Sequence, residues 1–198
     1  MLNKPQTFIF FGTVGSGKGT QAELLKSYLE NNHISDDIVN TSTGAEYRKL
    51  IESGNYTGTI VKTTVEKGYL QPDFLTVSLF TNILISSMKE NTYLITDGFP
   101  RTITQSEAFE KAMKFYNRDL VHIIYIDLDK VEATKRMMLR GRTDDTEEGI
   151  AKRFDEYSQN VIPSMNYLKD KPGYIMHTIN GKQSREEVYQ DMIKSLNI

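Results

Sequence analysis

Cysteine and tryptophan are absent from the 198-residue chain, histidine occurs three times and proline five times. Without cysteine there is no disulfide, no thiolate metal site and no cysteine nucleophile, and the composition fits a reducing compartment. Charge of one sign is lacking too: 24 Lys+Arg face 26 Asp+Glu, a formal net charge of −2. That balance gives no global attraction to nucleic acid or to an anionic membrane. Long hydrophobic runs are also missing. The longest are Phe8-Ile9-Phe10-Phe11 and Ile123-Ile124-Tyr125-Ile126, against the ~20 residues a membrane-spanning helix requires. The first of these is too short for the core of a signal peptide, so the sequence reads as a soluble, non-secreted, cytoplasmic protein. Arginine is scarce, eight against sixteen lysines, and the eight are unevenly placed.

What is present alternates. Short β-rich runs at Thr7–Phe11, Ile38–Val39, Thr92–Thr96, Val121–Asp127 and Tyr174–Ile179 are separated by helical periodicities, among them Lys18–Asn31, Val131–Arg140, Glu147–Lys169 and Arg185–Leu196. Near-continuously apolar strands that alternate with helices predict an α/β fold: a five-stranded, mainly parallel sheet with helices on both faces, hence three layers. Length predicts one domain over residues 1–198. Two regions break the alternation. About fifty residues between the second and third strands read as three helices around Gly44, Gly54, Gly58 and Gly68, which predicts a helical insertion, placed at 42–72. A short polar link at Gly141–Asp145 joins two helices and reads as a trimmed mobile flap, 140–146. Pro163 is expected to kink the long helical pattern that contains it.

The strongest local signal is Gly12-Thr-Val-Gly-Ser-Gly-Lys-Gly-Thr20, directly after the first strand and opening a helix. Consecutive backbone N–H groups of such a loop wrap a phosphate, the helix N-terminus favours the anion, and Lys18 brings a mobile positive charge. The competing reading is a glycine-rich turn with a surface lysine. In generic phosphate loops a Ser or Thr follows the lysine; here Gly19 does, and the hydroxyl comes one place later at Thr20.

Gly-Lys-Gly-Thr-Gln resembles the phosphate loop of nucleoside monophosphate kinases of the adenylate kinase family, although Val14 stands where that family usually has proline. Three further blocks continue the resemblance in order: Ser42-Thr43-Gly44 with Arg48, then Asp97-Gly98-Phe99-Pro100-Arg101-Thr102 with Gln105, then Arg136, Arg140, Arg142, Asp144, Asp145 and Arg153. The resemblance implies a P-loop kinase with a monophosphate-binding insertion and a very short lid. It implies Mg²⁺-dependent, reversible transfer of a phosphoryl group from ATP to AMP. Lys18, Arg101, Arg140, Arg142, Asp144 and Arg153 are its implied catalytic residues. Gly15, Ser16, Gly17, Lys18, Gly19, Thr20, Arg136, Arg140 and Gly181 would bind ATP, and Thr43, Gly44, Arg48, Gly98, Arg101 and Gln105 would bind AMP. Asp97 and Thr20 would hold Mg²⁺ through water, the ion arriving with the nucleotide, and the Phe99–Pro100 bond would be cis.

These residue types suit that chemistry. Two polyanions must meet while charge spreads over the transferred group, and guanidinium groups grip phosphate in a bidentate fork. Each assignment has a rival. The arginine cluster reads equally as a solvated helix face paired with Glu132 or Glu148. Asp97 reads as a turn aspartate, Asp145 with Glu148 as a capping box, and Thr43 with Glu46 as another. Arg118 and Arg185 are left for ordinary surface duty. With no Cys and three scattered His, no zinc site is expected. Thr43 and Gln105 favour adenine by resemblance, against a UMP/CMP kinase, and the joint presence of Arg101, Arg140, Arg142 and Arg153 argues against a non-catalytic nucleotide-binding protein. The short lid predicts a relaxed choice of donor, GTP alongside ATP.

Overall fold

The computed structural model describes residues 4–141 and 145–198. Along the chain run β1 (Thr7–Gly12), α1 (Lys18–Asn31), β2 (Ile38–Ser42), α2 (Thr43–Glu52), α3 (Tyr56–Glu66), α4 (Asp73–Ser87) and β3 (Tyr93–Asp97). There follow α5 (Ile103–Phe115), β4 (Val121–Asp127), α6 (Lys130–Arg140), α7 (Glu147–Glu156), α8 (Ile162–Lys169), β5 (Tyr174–Asn180) and α9 (Arg185–Leu196). Among the described residues the strands form one five-stranded sheet in the order β2-β3-β1-β4-β5, every pair parallel. Parallel strands put all their carboxyl ends on one edge, and the order reverses at β1, which opens a crevice there.

Period-two alternation sorts the strand side chains into two cores. Phe8 and Phe10 face α1 and α9, packing with Leu25, Leu29, Val188 and Met192. Ile9 and Phe11 face α4, α5 and α8, packing with Phe80, Phe109, Met113 and Leu168. Each such side chain, taken fully out of water, contributes roughly 1.5–3 kcal/mol. A third, smaller cluster joins α6 to α7 through Ala133, Met137, Ile150 and Phe154, with Val14 of the phosphate loop against it. The loop and the two helices after β4 therefore share one apolar support.

Three details differ from the sequence reading. β2 extends to Ser42 because it pairs with β3 along its length, Ser42 level with Asp97; its polar Asn40-Thr41-Ser42 stretch hid it. The disturbance expected at Pro163 takes the form of a π-helical segment, Tyr157–Val161, between α7 and α8. Proline has no N–H to give to the carbonyl four residues back, and the helix widens so that the Ile162 N–H donates to the Tyr157 carbonyl. Arg118, expected at the surface, is 6% exposed and donates to the Lys89 and Glu90 carbonyls at 2.9 and 3.2 Å.

Far from the carboxyl edge, His122 on β4 and His177 on β5 share a hydrogen bond, Nδ1 to Nε2 at 2.9 Å, and His122 stacks on Phe8. Burial, with the neighbouring His177 second, pushes the His122 ring down to about 4, and burial lowers His177 as well. Both rings are neutral in the fold, while an unfolded chain takes up protons below about pH 6.5. Stability is therefore complete above that pH and lost as pH falls toward about 4, on the order of 3 kcal/mol for His122 alone. Urea unfolding between pH 7.5 and 4.5 is expected to show this decline, and His122→Asn to flatten it; parallel curves for the two proteins would refute the assignment.

Candidate active site

Helix α1 starts at Lys18, one residue after a strand-to-helix turn, and its N-cap Gly17 contributes no side-chain acceptor. No acidic residue occupies its first turn. By contrast α3, α5, α6, α7 and α9 are capped by Asn55, Thr102, Asp129, Thr146 and Ser184. The first-turn N–H groups of α1, the positive end of the helix dipole, are thus left for an external anion. The Lys18 ammonium folds over the loop and donates to the Gly12 and Thr13 carbonyls, each at 2.8 Å.

Asp97 closes β3, level with Phe10 of β1. A Cβ placed on Gly19 would lie 3.2 Å from Asp97 Oδ2. The contact is tight enough that a side chain at position 19 would have to shift the Asp97 carboxylate, and the hydroxyl is carried by Thr20, which is exposed. Asp97 and Thr20 offer oxygen donors of the kind a hydrated Mg²⁺ prefers. Among the described residues no group of three or more His, Cys, Asp or Glu could hold a metal ion directly.

A cavity of about 730 Å³ opens between the loop, the β3–α5 turn, helices α2–α4 and helix α7. Lys18, Arg48, Arg101, Arg140 and Arg153 line it together with Thr43, Gly44, Gly98 and Gln105. The β3–α5 turn is shaped by the cis Phe99–Pro100 bond and by Gly98 at φ +84. A Cβ on Gly98 would meet Thr43 Oγ1 at 2.6 Å and the Arg101 guanidinium at 2.7 Å. The Gly98 carbonyl accepts from both, Thr43 Oγ1 at 2.8 Å and Arg101 Nε at 2.9 Å, and so holds one side of the cavity. The expected Thr43–Glu46 capping box does not form: Ser42 is the N-cap of α2, the Thr43 hydroxyl goes to Gly98, and Glu46 pairs with Lys49.

The other side is held by Asp145. Its buried carboxylate, 1% exposed, accepts from Arg140 Nε at 3.0 Å and Nη2 at 2.7 Å, and from Arg153 Nη1 at 2.9 Å. The Asp145–Glu148 capping box is therefore also absent, and Thr146 caps α7 by accepting from the Gly149 N–H. Sequence reasoning named Asp144 as the chief partner of the lid arginines and left Asp145 evenly between that pairing and the cap; the structure shows the pairing. The signal available was its spacing, five residues after Arg140 and eight before Arg153. Arg142 and Asp144 lie outside the described residues. Arg136 does not line the cavity; it pairs with Glu132 at 2.8 Å, as the solvated-face reading anticipated. Gly15, Ser16, Gly17, Gly19, Thr20, Asp97 and Gly181 lie outside the lining too, Gly181 donating to the Asp127 carbonyl at 2.7 Å on the far side of β4.

The two walls touch. Gly68, at φ +79 in the α3–α4 turn, sits against α7, where a Cβ would come 2.5 Å from the Gly149 carbonyl oxygen. Beside it the Lys152 ammonium lies 4.7 Å over the Tyr69 ring.

Burial, more than the neighbouring cations, sets the charge of Lys18. Burial lowers its pKa to about 8; Asp97 pulls it up, while Arg101 and Arg140 push it further down. Above that pH the free protein holds a neutral amine, and binding a polyphosphate must draw a proton back. Affinity for ATP, the donor expected from the sequence, should thus fall as pH rises through 8, by up to roughly tenfold per pH unit. Calorimetry in buffers of different ionisation enthalpy should register proton uptake at pH 9. Equal affinity at pH 7 and 9.5 would contradict the assignment.

Comparison with known proteins agrees with this geometry. The family model described as adenylate kinase matches residues 10–172. An adenylate kinase of Bacteroides fragilis is 34% identical over 100% of this chain and 99% of its own. One from Prochlorococcus marinus is 33% identical over 93% of this chain and 94% of its own, and one from Leptospira biflexa 31% over 95% and 98%. With a phosphate loop, an arginine-lined cavity beside it and these relatives along its full length, the chain belongs to the adenylate kinase family.

Proposed function

We propose that the protein catalyses reversible, Mg²⁺-dependent phosphoryl transfer between ATP and AMP to give two ADP. The observation that carries the reading is the convergence of Lys18, Arg48, Arg101, Arg140 and Arg153 on one cavity beside an uncapped helix N-terminus. In the forward direction the bond from the γ-phosphorus to the β,γ-bridging oxygen breaks, and an oxygen of the AMP phosphate takes its place. That attacking oxygen is already anionic, so no general base is required. Positioning and charge neutralisation supply the catalysis.

Each residue then has a task. Arg48 and Arg101 hold the acceptor phosphate, and Lys18 with the loop amides of Gly15–Thr20 holds the donor phosphates. Arg140, Arg142 and Arg153 are assigned to the transferring group, and Asp144 to the same step. Asp145 is added as a positioning residue: a carboxylate shared by two guanidiniums keeps both forks aimed at one place and offsets their repulsion. Mg²⁺ arrives with ATP, and Asp97 and Thr20 would hold its water shell. Arg136 and Gly181, outside the cavity, are assigned to the donor base. Thr43 and Gly44, in an insertion at 42–72 that moves against the 140–146 lid, form the acceptor base side together with Gly98 and Gln105. Contact between Gly68 and α7 supports that arrangement, because it is the seam along which the insertion and the lid helix meet. A lid this short gives the donor base few contacts, so GTP is accepted beside ATP. The lack of cysteine supports a cytoplasmic site of action, and no described helix is long and apolar enough to cross a membrane.

A coupled assay with ATP and AMP, CMP, UMP or GMP tests the reading. AMP should be the best acceptor, GTP should serve within a hundredfold of ATP in kcat/KM, and Arg101→Ala should cut kcat by about 10²–10³. A preference for CMP or UMP, or full turnover in Arg101→Ala, would overturn it.

A further inference from the structure

Gln105 is 1% exposed and lines the cavity, and both ends of its amide are already engaged. Oε1 accepts from the Arg101 backbone N–H at 2.8 Å, and Nε2 donates to Asp73 Oδ1 at 2.8 Å. Asp73 is the first residue of α4, and the same carboxylate oxygen accepts from the Thr102 hydroxyl at 2.9 Å. An amide side chain has two orientations of nearly equal shape, which exchange its donor and acceptor ends. Here the choice is fixed twice. An ionised carboxylate has no hydrogen to give, so only the NH₂ end can face Asp73; the Arg101 N–H demands the oxygen end.

We infer that Asp73 is a positioning residue that sets acceptor-base selectivity by locking the Gln105 amide in one orientation. The inference rests on the reading above that Gln105 faces the acceptor base. After the two internal bonds, one N–H and one lone pair of the amide remain, the lone pair on the Arg101 side and the N–H on the Asp73 side. That ordered pair matches a 6-aminopurine, whose amino group donates and whose adjacent ring nitrogen accepts. A 6-oxopurine presents the reverse order. Turning the amide to meet it forfeits the Arg101 bond and sets an oxygen against a carboxylate, which a neutral neighbour would not penalise in the same way. Nothing in this requires Asp73 to touch the nucleotide.

The experiment compares kcat/KM for AMP and IMP, with ATP as donor, in wild type, Asp73→Asn, Asp73→Ser, Thr102→Val and Gln105→Leu, with the Tm of each. Both Asp73 variants are expected to lower the AMP:IMP ratio about tenfold, the scale of one charge-assisted hydrogen bond. The change should fall on KM for AMP, with kcat within about threefold of wild type. Thr102→Val removes the other bond to Asp73 and the cap of α5, so it should lower Tm and leave the ratio unaltered. A ratio unchanged in the folded Asp73 variant, while Gln105→Leu collapses it, would overturn the role of Asp73 alone. A ratio that survives Gln105→Leu would overturn the base-facing reading and the inference with it.

Discussion

Like charges repel, and this molecule holds six cationic side chains, Lys18, Arg48, Lys62, Arg101, Arg140 and Arg153, around one cavity of about 730 Å³. Everything else about the site follows from making that tolerable in the absence of an anion. Coulomb repulsion at the distances inside a cleft is worth several kcal/mol where water is excluded; Lys18, lowered to about 8 chiefly by burial, is pushed further down by Arg101 and Arg140 and pulled up by Asp97. The fold answers with oxygens. Carbonyls of Gly12 and Thr13 hold Lys18, the carbonyl of Gly98 holds Arg101, and the carboxylate of Asp145 holds Arg140 and Arg153.

The placement of those oxygens follows from the sheet. Parallel pairing lines up the ends of β1, β2 and β3, so the phosphate loop, Ser42-Thr43 and Asp97-Gly98 arrive at one edge in register. The remaining arginines come from α6 and α7, which flank the short link and share an apolar cluster with Val14 of the loop. A rigid wall thus meets a wall that rests on it, and the Asp145 carboxylate connects the two arginine-bearing helices of the second. The net charge of −2 conceals this concentration, because most of the compensating acid lies elsewhere on the surface.

Much of this was legible in the residues. Apolar periodicity located the five strands, and motif order picked out Lys18, Thr43, Gly44, Arg48, Gly98, Arg101, Gln105, Arg140 and Arg153, which line the cavity. What escaped was decided by tertiary partners. Polar Asn40-Thr41-Ser42 became strand because β3 offered its ladder. Thr43 and Asp145 both matched local capping patterns, yet each side chain found a stronger partner across the site, the Gly98 carbonyl and the paired guanidiniums. Pro163 announced a disturbance whose form, a π-helical widening, no local rule specified. Arg118 was assigned to the surface because charge suggests exposure; two carbonyls at the end of the α4–β3 connection took it inside. Gly19 was read as a departure, and its close neighbour, the Asp97 carboxylate, is seen only in three dimensions.

The central claim is that a buried carboxylate organises the arginines for phosphoryl transfer rather than merely stabilising the fold. Its most direct test is the single-turnover rate of γ-phosphoryl transfer from ATP to AMP in Asp145→Asn, an isostere that keeps the shape and removes the charge. The account predicts a transfer step slowed by roughly 10²-fold or more, with both nucleotides still bound within a few-fold of wild-type affinity. A folded Asp145→Asn protein that transfers the phosphoryl group at the wild-type rate would contradict it.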